Sequence, residues 1–343
     1  MSLQLPSISN DQPRPPKRAR SDTSASEHSG EDSTYKRSEA FWIRDGNVIL
    51  VAEQVTFRVH QGVLGRKSVI FEDMFGVPQP ENAEKLEGCP LVHVSDTAED
   101  IEHLLSVLYD GDRFLSATAQ ISMKMVFALL QLGIKYEIDF LRDEAINILN
   151  TAYPSSFLAY MRQHTVSSGG TERVTGRGND DAIITINLAW KHRLHALLPG
   201  AFYACALTPI KKLAMSTRNP GSEAEDLAKL TSEDMERCLN GREHLQWMYL
   251  ARYSILDVTR KSNGCLNPSV CESLRAIWKR CNEMSYTKKV FQFDFDPMEP
   301  LPLGVDEVGH CSRCESHFEG EDSRARIAMY NGLASTFGLE DFM

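Results

Sequence analysis

The sequence predicts an α+β fold, a small β-sheet capped by a helical cluster, followed by a mainly α-helical C-terminal region. Two observations predict the sheet. Residues 48–51 are a β-branched run, and Val55, Phe57 and Val59 then alternate with polar residues, which is typical of two strands joined by a tight turn. Residues 91–94 predict a third strand, and the apolar residues elsewhere recur mostly at helical spacing.

The bulk composition indicates a soluble intracellular protein. The chain has 343 residues and a formal net charge of -10, which opposes direct nucleic-acid binding because a duplex binder needs a basic face. No stretch approaches the roughly 20 apolar residues of a membrane span, and residues 1–38 lack the apolar core of a secretory signal. The 8 cysteines are too sparse for a secreted disulfide scaffold, so we expect reduced thiols, some of them on a metal.

Composition divides the chain into a disordered tail over residues 1–39, an α+β domain over 40–150 and a helical domain over 151–343. The tail is rich in Ser, Pro and charged residues, so burial cannot offset the entropy lost on ordering it. It carries a basic run formed by Arg14, Lys17, Arg18 and Arg20. Such a run is typical of nuclear import signals and also of solvated charged stretches, so we expect a nuclear or cytoplasmic location.

Start and stop signals place the helices. A cap within Ser95, Asp96 or Thr97 begins a helix over residues 101–108, and Gly111 closes it in the left-handed conformation. Further helices are predicted around residues 123–130, 141–149, 157–161, 183–198, 201–207 and 232–256, with a short one over 327–337. Asn267 and Pro268 begin another helix. We expect its apolar face to be buried, with Cys281 as a packing residue: Val270, Leu274, Ile277, Trp278 and Cys281.

Residues 57–75 contain a Phe, a His three positions later, an apolar pair, a Ser and a Phe-rich end. These positions are Phe57, His60, Val63, Leu64, Ser68, Phe71, Met74 and Phe75. This pattern resembles the central signature of the BTB/POZ domain. The order of elements over residues 41–150 is similar to that family as well. Gly88-Cys89-Pro90, Ser95-Asp96 and the Leu-Tyr-Asp-Gly helix end resemble its large fungal, basidiomycete-type branch.

The resemblance implies a BTB/POZ fold without catalytic residues. It also implies a protein-interaction module that is often homodimeric and serves transcriptional complexes or cullin-type ubiquitin ligases. His60 has two interpretations: a structural imidazole that caps the helix entry, or a titrating catalytic or metal-binding group. No second ligand lies nearby at suitable spacing, so we predict the structural role.

The sequence departs from the family pattern in two respects. Asn47 and Gln61 stand where animal transcription-factor members carry an acidic and a basic residue, so the charged pocket implied by the resemblance is neutral here. Residues 112–118 lack the apolar-x-Glu element of many cullin adaptors, which weakens the interpretation as a ligase adaptor.

Four cysteines have the residue type of a structural zinc site. Cys311 and Cys314 form a Cys-x2-Cys pair, while Cys265 and Cys271 flank the helix start at Pro268. Together they can form a tetrahedral site, in which His310 or His317 can replace one ligand. The alternative is four reduced, unliganded thiols, because the spacing of the first pair differs from that of common zinc fingers.

The sequence shows no recognisable pairing of a nucleophile with a base, no carboxylate pair and no open metal site. We therefore expect no enzymatic activity. The leading hypothesis is a non-enzymatic scaffold that forms a homodimer through its first domain and binds an unidentified protein partner through its C-terminal half. The alternative is a substrate adaptor that binds a cullin. A transcription factor is the third class, but the sequence has neither finger repeats nor a basic helix.

Overall fold

A computed structural model describes residues 35–78, 84–111, 120–166, 174–175, 178, 180–216, 226–257, 262–292, 296–301, 303 and 308–343. The predicted import residues Arg14, Lys17, Arg18 and Arg20 lie outside the described residues, as does the 112–118 segment. In the part that is described, no helix has both the length and the apolar character needed to cross a membrane.

Five strands form one mixed sheet in the order β1-β3-β2-β5-β4. The strands are β1 (Lys36–Trp42), β2 (Val48–Ala52), β3 (Val55–Val59), β4 (Lys85–Leu86) and β5 (Cys89–Val94). The predicted hairpin is present as the antiparallel pair β2–β3, in which Leu50 lies opposite Phe57. β5 runs parallel to β2, and every residue of β2 is buried, which explains its continuous apolar run.

Strand β1 corrects the predicted extent of the disordered tail. Its first four residues fall within the segment 1–39, yet Lys36 pairs with Val55 in a parallel ladder with β3. Ser38 and Phe41 are buried, and their neighbours in β1 are mostly exposed. A polar strand at the edge of a sheet has no strict apolar alternation, so composition alone assigns it to the tail.

In the described part of the first half there are five numbered helices: α1 (Gln61–Gly65), α2 (Val69–Gly76), α3 (Ala98–Tyr109), α4 (Met123–Lys135) and α5 (Asp139–Ala152). Thr97 caps α3 by accepting a hydrogen bond from the Asp100 amide at 3.1 Å, in agreement with the predicted cap. The prediction that Gly111 ends α3 in the left-handed conformation is wrong, because Gly111 does not have a positive φ. The C-cap is Asp110 with φ -114°, and its amide donates to the Ser106 carbonyl.

The second half is mainly helical. Its helices are α6 (Phe157–Val166), α7 (Asp181–His192), α8 (Leu198–Ala206), α9 (Ile210–Met215), α10 (Ser232–Tyr253), α11 (Pro268–Gln292), α12 (Ser312–Asn331) and α13 (Leu333–Thr336). Short 3-10 turns lie at His195–Leu197, Ser254–Leu256 and Glu340–Phe342, and β6 (Ile121–Ser122) pairs in parallel with β7 (Val174–Thr175). The predicted short C-terminal helix is wrong in length, because α12 begins at Ser312 and ends before Gly332.

One hydrophobic core extends through both halves, from Phe41 to Leu339. A polar contact also joins them, because the Tyr330 hydroxyl of α12 donates to the Pro154 carbonyl at 2.7 Å, just after α5. Within the helical half, Asp296 accepts from the hydroxyls of Tyr160 and Tyr203, which lie on α6 and α8. The helical region is therefore packed directly onto the α+β region.

A second, smaller core lies between α10, α11 and α12 and includes Tyr249, Phe318 and Cys271. Beside it, Asp322 of α12 forms a buried salt bridge with Arg252 of α10 at 2.8 Å. The same carboxylate accepts from Arg326 at 3.0 Å. Arg252 thus fixes α10 against α12, while Arg326 lies on the same helix as Asp322.

Candidate functional sites: the signature segment and a four-cysteine cluster

The signature segment holds its two helices against the sheet and α4. Phe57, Leu64 and Phe71 are fully buried, and the Phe71 ring stacks on Tyr136 with 4.3 Å between centroids. Val63, Met74 and Phe75 are half-buried. Ser68 is the N-cap of α2, where its Oγ accepts from the Phe71 amide at 3.1 Å and donates to the Tyr136 carbonyl at 2.6 Å.

His60 occupies the N-cap position of α1, but its side chain makes no capping hydrogen bond, which corrects the predicted capping role. Its Nδ1 instead lies 3.1 Å from the hydroxyl of Tyr109, and its backbone amide donates to the same hydroxyl at 2.9 Å. Its Nε2 lies 3.4 Å from Asp45. Because Tyr109 is the last residue of α3, these contacts join the signature to the end of that helix.

Asn47 and Gln61, the two neutral positions beside the signature, bond to each other. The Asn47 side-chain oxygen accepts from the Gln61 amide at 2.8 Å, and the Gln61 side-chain amide lies 3.5 Å from the Asn47 carbonyl. Asn47 thus satisfies a free amide in the first turn of α1, the task that the His60 side chain does not perform. The pair contributes no charge to this surface.

The structure brings four cysteines together at the ends of two helices: Cys265, Cys271, Cys311 and Cys314. Cys271 lies in the first turn of α11, Cys311 is the N-cap of α12, and Cys265 follows Gly264, whose φ of +83° permits the turn. The four sulfurs lie within 4.8 Å of one another. Segments separated by about forty residues in sequence thus meet at one point.

The donor set and its dimensions fit a tetrahedral zinc ion. Sulfurs that each lie about 2.3 Å from a tetrahedral zinc are separated by about 3.8 Å. The Sγ atoms of Cys265 and Cys311 are 3.8 Å apart. Cys311 also donates its amide to Cys271 Sγ at 3.3 Å, a hydrogen bond that suits a thiolate acceptor. The cluster can therefore hold a structural metal.

Two cysteines of the cluster have shifted pKa values in opposite directions. Backbone hydrogen bonds at Leu266 and Cys314 lower the pKa of Cys311 to about 6. Burial raises the pKa of Cys314 to about 12. Without a metal, Cys311 is thus the thiolate and Cys314 the thiol of the pair at neutral pH.

The two histidines considered as substitute ligands lie outside this group of four thiols. His310 is buried, its ring packs edge-on against Phe318, and among the described residues nothing hydrogen-bonds its nitrogens. His317 pairs with Glu321 at 3.7 Å. Four cysteine sulfurs are thus the donor set that the fold assembles.

The family model of the BTB/POZ domain matches residues 44–153. This region is a BTB/POZ domain. The match covers less than half of the chain, so it identifies the first folded region alone. Comparison with curated proteins gives no significant match. A BTB domain is generally a protein–protein interaction and dimerisation module and is typically non-catalytic, as the resemblance implied.

Sequence reasoning missed Tyr109 of the BTB domain and Arg275 beside the cysteines. Arg275 is 3% exposed, its Nη1 lies 4.0 Å from Cys314 Sγ, and its guanidinium lies 4.6 Å from the centre of the Phe318 ring. An arginine inside an otherwise apolar helix face is the one signal that marked it in the sequence. Its cation lies where a metal-bound set of thiolates would carry negative charge.

Proposed function

We propose that the chain is a non-enzymatic scaffold that forms a homodimer through its BTB domain and binds a protein partner through its helical C-terminal region. The BTB match over residues 44–153 carries this proposal, because such domains generally mediate protein association. The continuous core supports it further, since the helical region is held rigidly against the domain that dimerises.

Two differently tagged copies expressed in one cell test the homodimer. We expect one tag to recover the other. A copy that lacks the helical region should be recovered as well, and this result counts only when the truncated BTB domain is shown to be folded. Failure of full-length copies to co-purify at comparable expression contradicts the proposal. Mass spectrometry of the same eluate identifies the partner.

We further propose that the four-cysteine cluster holds one structural zinc ion. Sulfurs at tetrahedral separation, an amide donating to Cys271 Sγ and the buried Arg275 cation support this assignment. One ion would join the loop at Cys265 to the N-termini of α11 and α12. Its role is to fix the helix ends, because four protein ligands leave no open position for substrate.

The alternative function is a substrate adaptor of a cullin-type ubiquitin ligase. Its support is the BTB domain followed by a helical region, an arrangement in which one part binds the ligase and the other the client. Recovery of a cullin with the tagged protein favours the adaptor. Recovery of other partners without a cullin favours the scaffold.

The basic run formed by Arg14, Lys17, Arg18 and Arg20 supports a nuclear location for the scaffold, with the cytoplasm as the alternative. Replacing the four cations by Ala in a fluorescent fusion tests this. Loss of nuclear signal supports import through the run, and an unchanged distribution contradicts it. Membership of the fungal branch stays a prediction from the motifs at residues 88–90 and 108–111.

A further inference from the structure

The four cysteines of the cluster differ in their access to solvent. Cys271 and Cys314 are buried in the smaller core, with 2% and 0% of their surface exposed. Cys265 and Cys311 are only half-buried and pack against the same core from outside. We call Cys271 and Cys314 the inner pair and Cys265 and Cys311 the outer pair. A dissolved oxidant reaches the outer pair first, because reaction at a cysteine requires access to its sulfur.

The two outer sulfurs are also direct neighbours. They lie 3.8 Å apart, close enough for one thiol to donate to the other. A disulfide bond is about 2.05 Å long, so these sulfurs must approach by roughly 1.8 Å. Cys265 lies in the loop before α11, and Cys311 is the N-cap of α12 with extended backbone. Their side chains can therefore turn toward each other without disturbing a helix, whereas the inner pair lies within α11 and α12.

The loop that carries Cys265 is held at the start of α12 by hydrogen bonds that do not involve sulfur. The Ser262 hydroxyl donates to the Arg313 carbonyl at 3.3 Å. The Cys265 amide donates to the Ser262 carbonyl at 3.3 Å, which closes a turn through Gly264. Because these bonds do not depend on a metal ligand, they keep Cys265 beside Cys311 when the coordination of the cluster changes.

We infer that the outer pair is a redox switch on the zinc site: a peroxide joins Cys265 to Cys311 in a disulfide, and the ion is released. This inference rests on the proposed zinc assignment. One outer thiolate attacks a peroxide oxygen, so a sulfur–oxygen bond forms, the O–O bond breaks and hydroxide leaves. The second outer thiolate attacks the resulting sulfenic acid, the disulfide forms and a second hydroxide leaves. Two electrons pass from the sulfurs to the peroxide, and the zinc keeps its charge.

Oxidation of the outer pair leaves too few ligands for a closed site. Cys271 and Cys314 alone supply two sulfurs, whereas a structural zinc ion takes four protein ligands. The disulfide keeps the loop joined to α12, but the connection between α11 and α12 through the inner pair is lost. A dithiol reverses the change, because it donates two electrons and two protons to the disulfide and itself becomes a cyclic disulfide.

Peroxide treatment of the zinc-loaded, full-length protein tests this switch. A chromophoric chelator records the release of zinc, and mass spectrometry of unreduced, alkylated peptides identifies the link. We expect excess hydrogen peroxide to release one zinc per chain and to join Cys265 to Cys311. Dithiothreitol followed by zinc should restore the metal content. Zinc that stays bound, or a link between Cys311 and Cys314 in place of the outer pair, overturns the inference.

The exposed thiol outside the cluster provides the control. Cys281→Ser should release zinc at the wild-type rate, because Cys281 is exposed and is not one of the four ligands. Loss of zinc release in this variant would assign the response to Cys281 and overturn the inference. The test also separates the two proposals. Protein purified without zinc contradicts the zinc assignment and the switch together, whereas bound zinc that does not respond to peroxide contradicts the switch alone.

Discussion

The sulfur atoms of Cys265 and Cys311 lie 3.8 Å apart, although 46 positions separate the residues in sequence. This is about the edge of a tetrahedral zinc-thiolate site. Because Cys271 and Cys314 complete the group, the N-termini of α11 and α12 meet at one point. The contact explains how the C-terminal helices are positioned, and it supports three of the predictions below.

Zinc removal is expected to destabilise the helical region. We expect one zinc per chain in the purified protein, and a chelator or Cys314→Ser should lower the Tm by several degrees or more. A change of 1 kcal/mol alone shifts the Tm of a large domain by roughly 2–4 °C. Cys281→Ser is the control, since that thiol is exposed and outside the cluster. The zinc assignment would be contradicted if the purified protein held no stoichiometric metal and its Tm did not change when chelator was added.

Arg275 is expected to strengthen metal binding. Its guanidinium lies 4.0 Å from Cys314 Sγ, so Arg275→Met should weaken zinc affinity by about 10- to 100-fold, as loss of outer-shell partners does elsewhere. Competition with a chromophoric chelator measures the affinity. Arg280→Met on the same helix is the matched control, because Arg280 is exposed. Equal affinities for the two variants would exclude a role for the buried cation.

In metal-free protein, Cys311 is expected to be the most reactive thiol of the cluster. Its pKa is lowered to about 6, so roughly nine-tenths of it is thiolate at pH 7. Alkylation by iodoacetamide, followed by peptide mass spectrometry, should label it first and should slow as the pH falls through 6. Zinc should protect it at pH 7. Faster labelling of the half-buried Cys265 than of Cys311 would show that the backbone hydrogen bonds are absent.

Asp322 is expected to be essential for stability. Its carboxylate lies between Arg252 at 2.8 Å and Arg326 at 3.0 Å, and all three side chains are buried. Asp322→Asn leaves two buried cations without their counter-charge, so we expect a loss on the order of 3–5 kcal/mol in the free energy of unfolding. Urea denaturation measures it. Glu321→Gln is the control, and a similar small effect of both variants would contradict the buried network.

The sequence was sufficient for the elements whose residues follow a strong local pattern. The β2–β3 hairpin, the cap at Thr97 and the start of α11 at Pro268 agree with the structure. The gathering of Cys265 and Cys271 with the Cys-x2-Cys pair also follows from residue type, although the first pair has an unusual spacing.

Other features depend on tertiary contacts that a local pattern does not contain. β1 is polar because it is an edge strand, and pairing with β3 orders it. His60 is tied to Tyr109, 49 positions away, which no local signal indicates. For α11, the periodicity identified an apolar face but not its surroundings. Val270 and Ile277 are exposed, and Cys281 is exposed as well, so the prediction that Cys281 is a buried packing residue is wrong.

Sedimentation equilibrium of the full-length protein tests the central claim, that the BTB domain makes this chain a homodimer. We predict that the protein sediments at twice the 38.6 kDa mass of the chain at micromolar concentration. A strictly monomeric protein that is folded would contradict dimerisation through the BTB domain.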